Sequence, residues 1–222
     1  MANLNAFKKN AVSAAQLSEK LAPKKTFEKK VDERFWFPER DEAGNAATVI
    51  RFLPSSDGET LYQTYYDHYF EGANGWFIDK CRTTLDDGKC PICDSNKEHW
   101  AKVGHVRDAV PKHIRARTRG TYHVANVLVI KDSVHPENEG KVFMFKFGKK
   151  IFDKIMDKAK PTFEDEDPIN VFDLWEGANF KLRQRTVTGY PNYDGSTFSD
   201  AVPVTENDDK LVSIMNARHN LQ

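Results

Sequence analysis

A chain of 222 residues, 39% apolar and 30% charged, is long enough to bury a core as one large domain or as one domain with small attachments. Lys plus Arg (33) balance Asp plus Glu (33), so net charge selects no partner, but residues 101–150 carry 11 basic against 4 acidic side chains and residues 151–222 carry 8 against 13. A local basic zone attracts polyanions even on a neutral molecule, while the lack of a long apolar run argues against a membrane span or a secretory leader, and so for a non-secreted protein in a reducing compartment.

In chain order, residues 7–21 place Val12, Ala15, Leu17 and Leu21 at helical spacing behind Lys8 and Lys9. Pro23 ends that helix, and Lys24, Lys25, Lys29 and Lys30 make the next stretch a charged connector. Residues 1–30 therefore read as a basic arm, and residues 31–222 as the core. From Ala47 the pattern is strand-like through Leu53, then again in the aromatic run 61–70, and Asn74-Gly75 turns the chain into Trp76, Phe77 and Ile78. A hairpin there carries His68 on one arm and delivers the chain to Cys81. Residues 94–106 are expected to be helical with Asp94 or Ser95 as N-cap and Trp100 and Val103 inward. Strands follow at 122–130 and 141–147, then a helix from Lys149 to before Pro161, an acidic loop at 164–167, and strands at 179–187 and around 190–198. No repeat or low-complexity tract interrupts them. Many short strands with few helices predict a mainly β (α+β) fold, a small barrel or open sheet with attached elements.

All three cysteines fall in one region. Twelve residues separate His68 from Cys81, eight separate Cys81 from Cys90, and two separate Cys90 from Cys93. A two-residue gap lets both thiolates of Cys90-Pro91-Ile92-Cys93 face one ion, and zinc favours four tetrahedral N and S ligands. His68, Cys81, Cys90 and Cys93 fill that shell, with His99 or His105 as the alternative fourth ligand. The plainer reading is buried thiols with a chance C-x-x-C. A closed shell leaves no site for water, so one structural zinc is expected, in a subdomain at about 62–110.

Residues 112–119, KHIRARTR, place Lys112, Arg115, Arg117 and Arg119 largely at every second position. On an extended segment Arg115, Arg117 and Arg119 share one face, which suits a phosphate backbone. Tyr122 begins the next strand. Alternation in 142–147 puts Phe143, Phe145 and Phe147 on one face, at least one of them core, with Lys149 and Lys150 just beyond. Tyr190 and Tyr193 sit in a Gly-, Pro- and Asn-rich loop that seldom buries two tyrosines. Aromatic platforms beside a cationic track are the chemistry of sequence-tolerant single-strand binding. No helix suited to reading a major groove is apparent.

These residues make the chain resemble the single-stranded DNA-binding, or helix-destabilising, proteins of T-even-like bacteriophages. The likeness is carried by IRFLPS (50–55), by His68 with the three cysteines and CPIC, by ANVLVIKD (125–132), by PENEGKVFMFKFGKKIFDKI (136–155), by WEGANF (175–180) and by GYPNYDGSTF (189–198). The resemblance implies an OB-like small barrel core with a zinc-binding subdomain and a cleft for single-stranded DNA. It implies cooperative self-association through a basic N-terminal arm, here Phe7, Lys8 and Lys9. Phe145 stands where the family has a cleft tyrosine, and Tyr190 and Tyr193 match its C-terminal aromatic pair. The segment between Cys93 and Ala125 is longer here, so its basic residues align only approximately. The family's acidic tail recruits replication proteins, which implies replication and recombination proteins as further partners, and the site of action is the cytoplasm of the infected bacterial host.

An enzyme is not expected. Zinc deaminases combine H-x-E with P-C-x-x-C, but here His135-Pro136-Glu137 follows the cysteines and Lys89 precedes Cys90. The expected function is a non-enzymatic protein that coats and protects single-stranded DNA cooperatively, without sequence specificity, in phage DNA replication, recombination and repair. A zinc-stabilised RNA-binding or protein-interaction module is the alternative, because 2′-hydroxyl readout is not legible in sequence.

Overall fold

Strand β5 (Gly120–Asp132) organises the molecule, because its residues 123–129 are buried on both faces, a largely apolar run interrupted by His123 and Asn126, as befits a central strand. The computed structural model describes residues 32–84, 88–163 and 165–221, together with Ser13. The arm assigned to residues 1–30, with Phe7, Lys8 and Lys9, lies outside the described residues.

Within the unit Arg34–Gln222 the other strands are β1 (Phe35–Trp36), β2 (Ala46–Leu53), β3 (Gln63–Gly72), β4 (Gly75–Lys80), β6 (Val142–Gly148), β7 (Ala178–Val187), β8 (Tyr190–Asn192) and β9 (Thr197–Ala201). The helices are α1 (Pro91–Lys102), α2 (Lys112–Ala116), α3 (Lys149–Ala159) and α4 (Asp208–Asn216). Strand order along the sheet is β1-β6-β5-β2-β7-β8, with the β3–β4 hairpin attached to β5 and β9 attached to β7. Pairing is antiparallel throughout except for β1 with β6. The protein is thus mainly β, with four α-helices among the described residues, and the sheet is not closed into a barrel.

β5 is long enough to take two neighbours on one edge: residues 126–132 pair with β2, and residues 120–124 pair with β3. The β3–β4 hairpin therefore projects from the end of the sheet. Its register sets Gly72 opposite Gly75, with Gly75 at φ 108°, a conformation that favours glycine.

One face of the sheet carries the main core. Ile50, Phe52, Val127, Phe145, Phe147 and Phe180 meet there beneath Ile151 and Ile155 of α3. Phe52 is fully buried, with the rings of Phe147 and Phe172 each 5.6 Å away. On the opposite face α4 covers the middle of the sheet, Ile214 packing on Leu53 and Leu128. No helix is assigned to this stretch from sequence, although Asn207 caps it by accepting the Lys210 N–H at 2.8 Å and Asp208 and Asp209 follow in the first turn. Buried Asn126 pins the residues beyond, its amide donating to the His219 carbonyl and accepting the His219 N–H.

Two expected boundaries are corrected. The helix expected at 94–106 starts at Pro91, so Cys90 is its N-cap and the C-x-x-C knuckle is its first turn, with Pro at the position where a missing N–H costs nothing. The basic segment 112–119 is not extended: residues 112–116 are helical and Arg117 continues in helical backbone. Helical spacing removes the shared face expected for Arg115, Arg117 and Arg119.

Candidate metal centre and nucleic-acid interface

His68 comes from β3, Cys81 from the residue after β4, and Cys90 and Cys93 from the start of α1. Their ligand atoms lie within 4.8 Å of one another. Cys90 Sγ is 3.4 Å and Cys93 Sγ 3.6 Å from His68 Nε2, and Cys81 Sγ is 3.5 Å from Cys93 Sγ. Tetrahedral bonds of ~2.3 Å to sulfur and ~2.0 Å to nitrogen give edges close to these values. Three thiol groups and an imidazole, largely buried, form a donor set suited to a metal ion. Of the histidine alternatives, His99 Nδ1 engages its own helix at the Ser95 carbonyl, and neither it nor His105 belongs to the group.

The surroundings prepare the ligands. His68 Nδ1 lies 2.9 Å from the Arg117 carbonyl oxygen, so a proton donated there leaves Nε2 free to face the thiols. Cys90 and Cys93 sit at the N-terminal end of α1, one as its N-cap and one in its first turn. Cys81 is lowered to about 6: burial opposes the change, but the Thr83 hydroxyl, 3.0 Å from its Sγ, the Thr83 backbone and the neighbouring thiols outweigh it. Cys93 is pushed up to about 12 by burial and by its hydrogen bonds and charge coupling to Cys81 and Cys90. A metal ion bound here would remove that conflict by taking every thiol as thiolate.

The same cluster fastens the basic segment at two points. One is the Arg117 carbonyl on His68; the other runs from Arg119, which donates to the Thr83 hydroxyl and lies 3.9 Å over the Tyr66 ring, to Cys81. Arg117 and Arg119 are half-buried, and Arg117 Nε and Nη2 have no hydrogen-bond partner among the described residues. Arg115 stands 3.8 Å from Asp108, and Lys112 is exposed.

The aromatic expectations divide. Phe145 is 3% exposed, wedged between Trp36 at 5.5 Å and Phe147 at 5.7 Å, so the base platform expected there is a core residue. The alternation that put three phenylalanines on one face was right, and that face is the core. Tyr193 is half-buried against the same core with its hydroxyl 3.1 Å from Gln184 Oε1, so of the expected pair only Tyr190, 76% exposed, offers an open ring. Lys149 pairs with Asp153 and Lys150 with Asp194, both on the surface.

Tyr122 has company that sequence reasoning missed. It lies opposite Tyr65 across β5 and β3, the rings 5.8 Å apart and nearly parallel. Lys146 Nζ is 3.9 Å from the Tyr122 centroid, and Lys80 Nζ is 3.8 Å from that of Tyr65. Burial and the Lys146 charge lower the Lys80 pKa, with Asp67 and Asp79 opposing. Two ammonium groups thus crowd over a tyrosine pair, with Asp67 Oδ2, 3.4 Å from Lys146 Nζ, as their one paired carboxylate among the described residues, and a further anion would neutralise the remaining positive charge. Lys146 was legible as the one cation inside an aromatic strand, and Tyr65 as part of the 61–70 run, but only the register joins them.

Together these elements define a mainly β protein built on an open sheet, with a Cys3His cluster of metal-binding type on an attached hairpin and helix. The chain belongs to the family described as gp32 DNA binding protein like, whose model matches residues 44–222. It is 38% identical over 206 residues to the single-stranded DNA-binding proteins of Enterobacteria phages T2 and T4, covering 91% of this chain and 66% of each relative. It is also 38% identical over 88 residues to the single-stranded DNA-binding protein of Escherichia phage SV14, covering 39% of this chain and 77% of the relative. The chain therefore spans just under two thirds of the length of the T2 and T4 proteins. No helix among the described residues is long and apolar enough to cross a membrane.

Proposed function

We propose that this protein binds single-stranded DNA without sequence specificity and coats it during phage DNA replication, recombination and repair, in the cytoplasm of the infected host. The observation that carries the reading is the Tyr65–Tyr122 stack with Lys80 and Lys146 over its rings, flanked by the basic segment. Cations meet phosphates there and rings meet bases, a combination indifferent to sequence. Family membership and the names of the relatives support it. The protein acts by binding and not by catalysis. Its Cys3His cluster holds one zinc as a structural ion, with all four positions filled by His68, Cys81, Cys90 and Cys93.

The finer architecture follows the same reading. An OB-like core is supported by the way β5 serves β2 along one half and β3 along the other. The metal-bearing hairpin and α1 would form one wall of a cleft, and residues 1–30, with Phe7, Lys8 and Lys9, would join neighbours along the DNA. Replication and recombination proteins would be the further partners.

The test is a salt titration of binding to poly(dT), a matched RNA and a duplex, with the full chain and with a chain lacking residues 1–20. Tightest binding to poly(dT), falling steeply with salt as counterions are released, is expected. Loss of the arm should lower cooperativity more than intrinsic affinity. Equal affinity for duplex would overturn the single-strand reading, and preference for RNA would favour an RNA-binding module. Tyr122→Ala should weaken poly(dT) binding by about 1 to 3 kcal/mol, the worth of one base stack, with the melting temperature as a control for folding. Unchanged affinity would remove the ring from the interface.

A further inference from the structure

On β7, strand alternation buries Phe180, Leu182 and Gln184 and turns Lys181, Arg183 and Arg185 outward. Val49 of β2 lies opposite Lys181 on one side and Lys131 of β5 on the other, and Ala47 lies opposite Arg183. A register shift at Val49/Ile50 brings Lys131 to this side, whereas Val127 and Val129 of the same strand enter the core. The arrangement is a trough. Short Ala47 and Val49 form its floor, Lys131 one rim, and Lys181 and Arg183 the other, around a hollow of about 350 Å³. A second hollow of about 260 Å³ continues it between Arg183 and Arg185, with Asp41 and Asn45 in its wall.

Three further features distinguish this trough from an ordinary solvated face. Lys131, Lys181, Arg183 and Arg185 are all exposed, and none makes an ion pair among the described residues, while Lys146, Lys149 and Lys150 each do. Arg183 is pre-positioned, because its stem lies over Gly195, where an added Cβ would come within 3.3 Å of Arg183 Cδ. Beyond Arg185 the β7–β8 register sets Val187 opposite Tyr190, so the most open tyrosine of the GYPNY loop shares the face of the cationic row. The trough is separate from the Tyr65–Tyr122 patch, since α4 and Leu221 cover the sheet between them.

We infer that this trough is a second contact track for single-stranded DNA, with phosphates on Lys131, Lys181, Arg183 and Arg185 and a base on Tyr190. Alternate residues of one strand are ~7 Å apart, and the two rims are separated by two strand spacings of ~5 Å, a width that suits one extended polynucleotide chain. Among the described residues these four cations make no ion pair, Asp41 in the wall of the second hollow being the one carboxylate that lines the trough, and a row of cations along a shallow apolar floor fits a repeating anion with hydrophobic faces. The inference rests on the single-strand reading above.

The experiment compares the full chain with Arg183→Ala/Arg185→Ala and with Lys160→Ala/Lys210→Ala, which removes the same charge from exposed positions outside the trough and the cleft. Binding to poly(dT) is measured across a series of NaCl concentrations. Each lost phosphate contact should make the slope of log K against log[salt] shallower by ~0.7, so the β7 variant should lose about 1.4 and the control variant nothing. A wild-type slope in a β7 variant that melts like wild type would overturn the track, as would an equal loss in the control variant. If the wild-type chain itself does not prefer poly(dT) to duplex, the single-strand reading fails, and the track fails with it.

Discussion

Cys93→Ser protein is expected to purify with far less than one zinc per chain and to lose order throughout the hairpin and helix that carry the cluster. Cys93 Sγ is central to the group, 3.5 Å from Cys81 Sγ and 3.6 Å from His68 Nε2, and serine offers no soft thiolate in its place. Apparent zinc-binding energies of ~10–16 kcal/mol in small zinc peptides act as folding energy, comparable to the whole stability of a typical domain. The apolar contents of this region cannot replace that. Among the described residues Val110 and Ile114 are its buried aliphatic side chains, whereas the sheet core has its own aromatic cluster. Hydrogen exchange should therefore speed up in 63–84 and 88–119 while β2 and the centre of β5 stay protected. DNA affinity should fall as well, although no DNA-facing cation is altered, because the Arg117 and Arg119 tethers both end on the cluster. Stoichiometric zinc with unchanged exchange would refute the structural role.

The three cysteines were legible because metal chemistry restricts both residue type and spacing, whereas the choice of His68 over His99 and His105 as fourth ligand is decided by the fold. Most strands were legible for a related reason. Ala46–Leu53 is rich in β-branched and apolar residues, as a buried strand requires, and Ala178–Val187 alternates apolar with charged side chains, the period of a strand with one face exposed. What failed was orientation. KHIRARTR has the spacing of a strand face, yet buried Ile114 and the tethered Arg117 carbonyl hold it as a helix, a tertiary preference invisible in local pattern. Phe145 and Tyr190 differ little as side chains, but pairing of Phe145 with Ala125 and Trp36 seals one ring inside, and the β8 hairpin leaves the other outside. The Tyr65–Tyr122 stack depends on a register between residues 57 positions apart in the sequence. Long-range register is the information a single sequence states least directly.

Arg51→Ala is expected to lower the melting temperature by roughly 6–12 °C, the counterpart of about 3 kcal/mol for a chain of this size. Arg51 lies on β2, fully buried, and its pKa is pulled down by burial with partial compensation from Asp173. Its Nη2 donates to the Asp173 carbonyl at 2.6 Å and its Nη1 to Asn179 Oδ1 at 3.4 Å. It thereby braces the loop 170–177 against the sheet, and that loop delivers Phe172 to the ring cluster around Phe52. Truncation leaves a cavity and a part-buried Asp173 carbonyl without its donor, each costing on the order of 1 to 3 kcal/mol. Gly177 belongs to the same device. A Cβ there would overlap the Asp173 carbonyl oxygen and come within 2.7 Å of Arg51 Nη2 and 3.0 Å of the Asn170 carbonyl. Gly177→Ala should therefore cost about 1 to 3 kcal/mol by overpacking. The two changes share partners and should not add, so Gly177→Ala should be milder in the Arg51→Ala background, where one of its obstacles is gone. Calorimetry of the two single variants and the double variant measures that coupling. Strict additivity would mean that Arg51 and Gly177 support the loop independently, and an unchanged melting temperature for Arg51→Ala would remove the brace altogether.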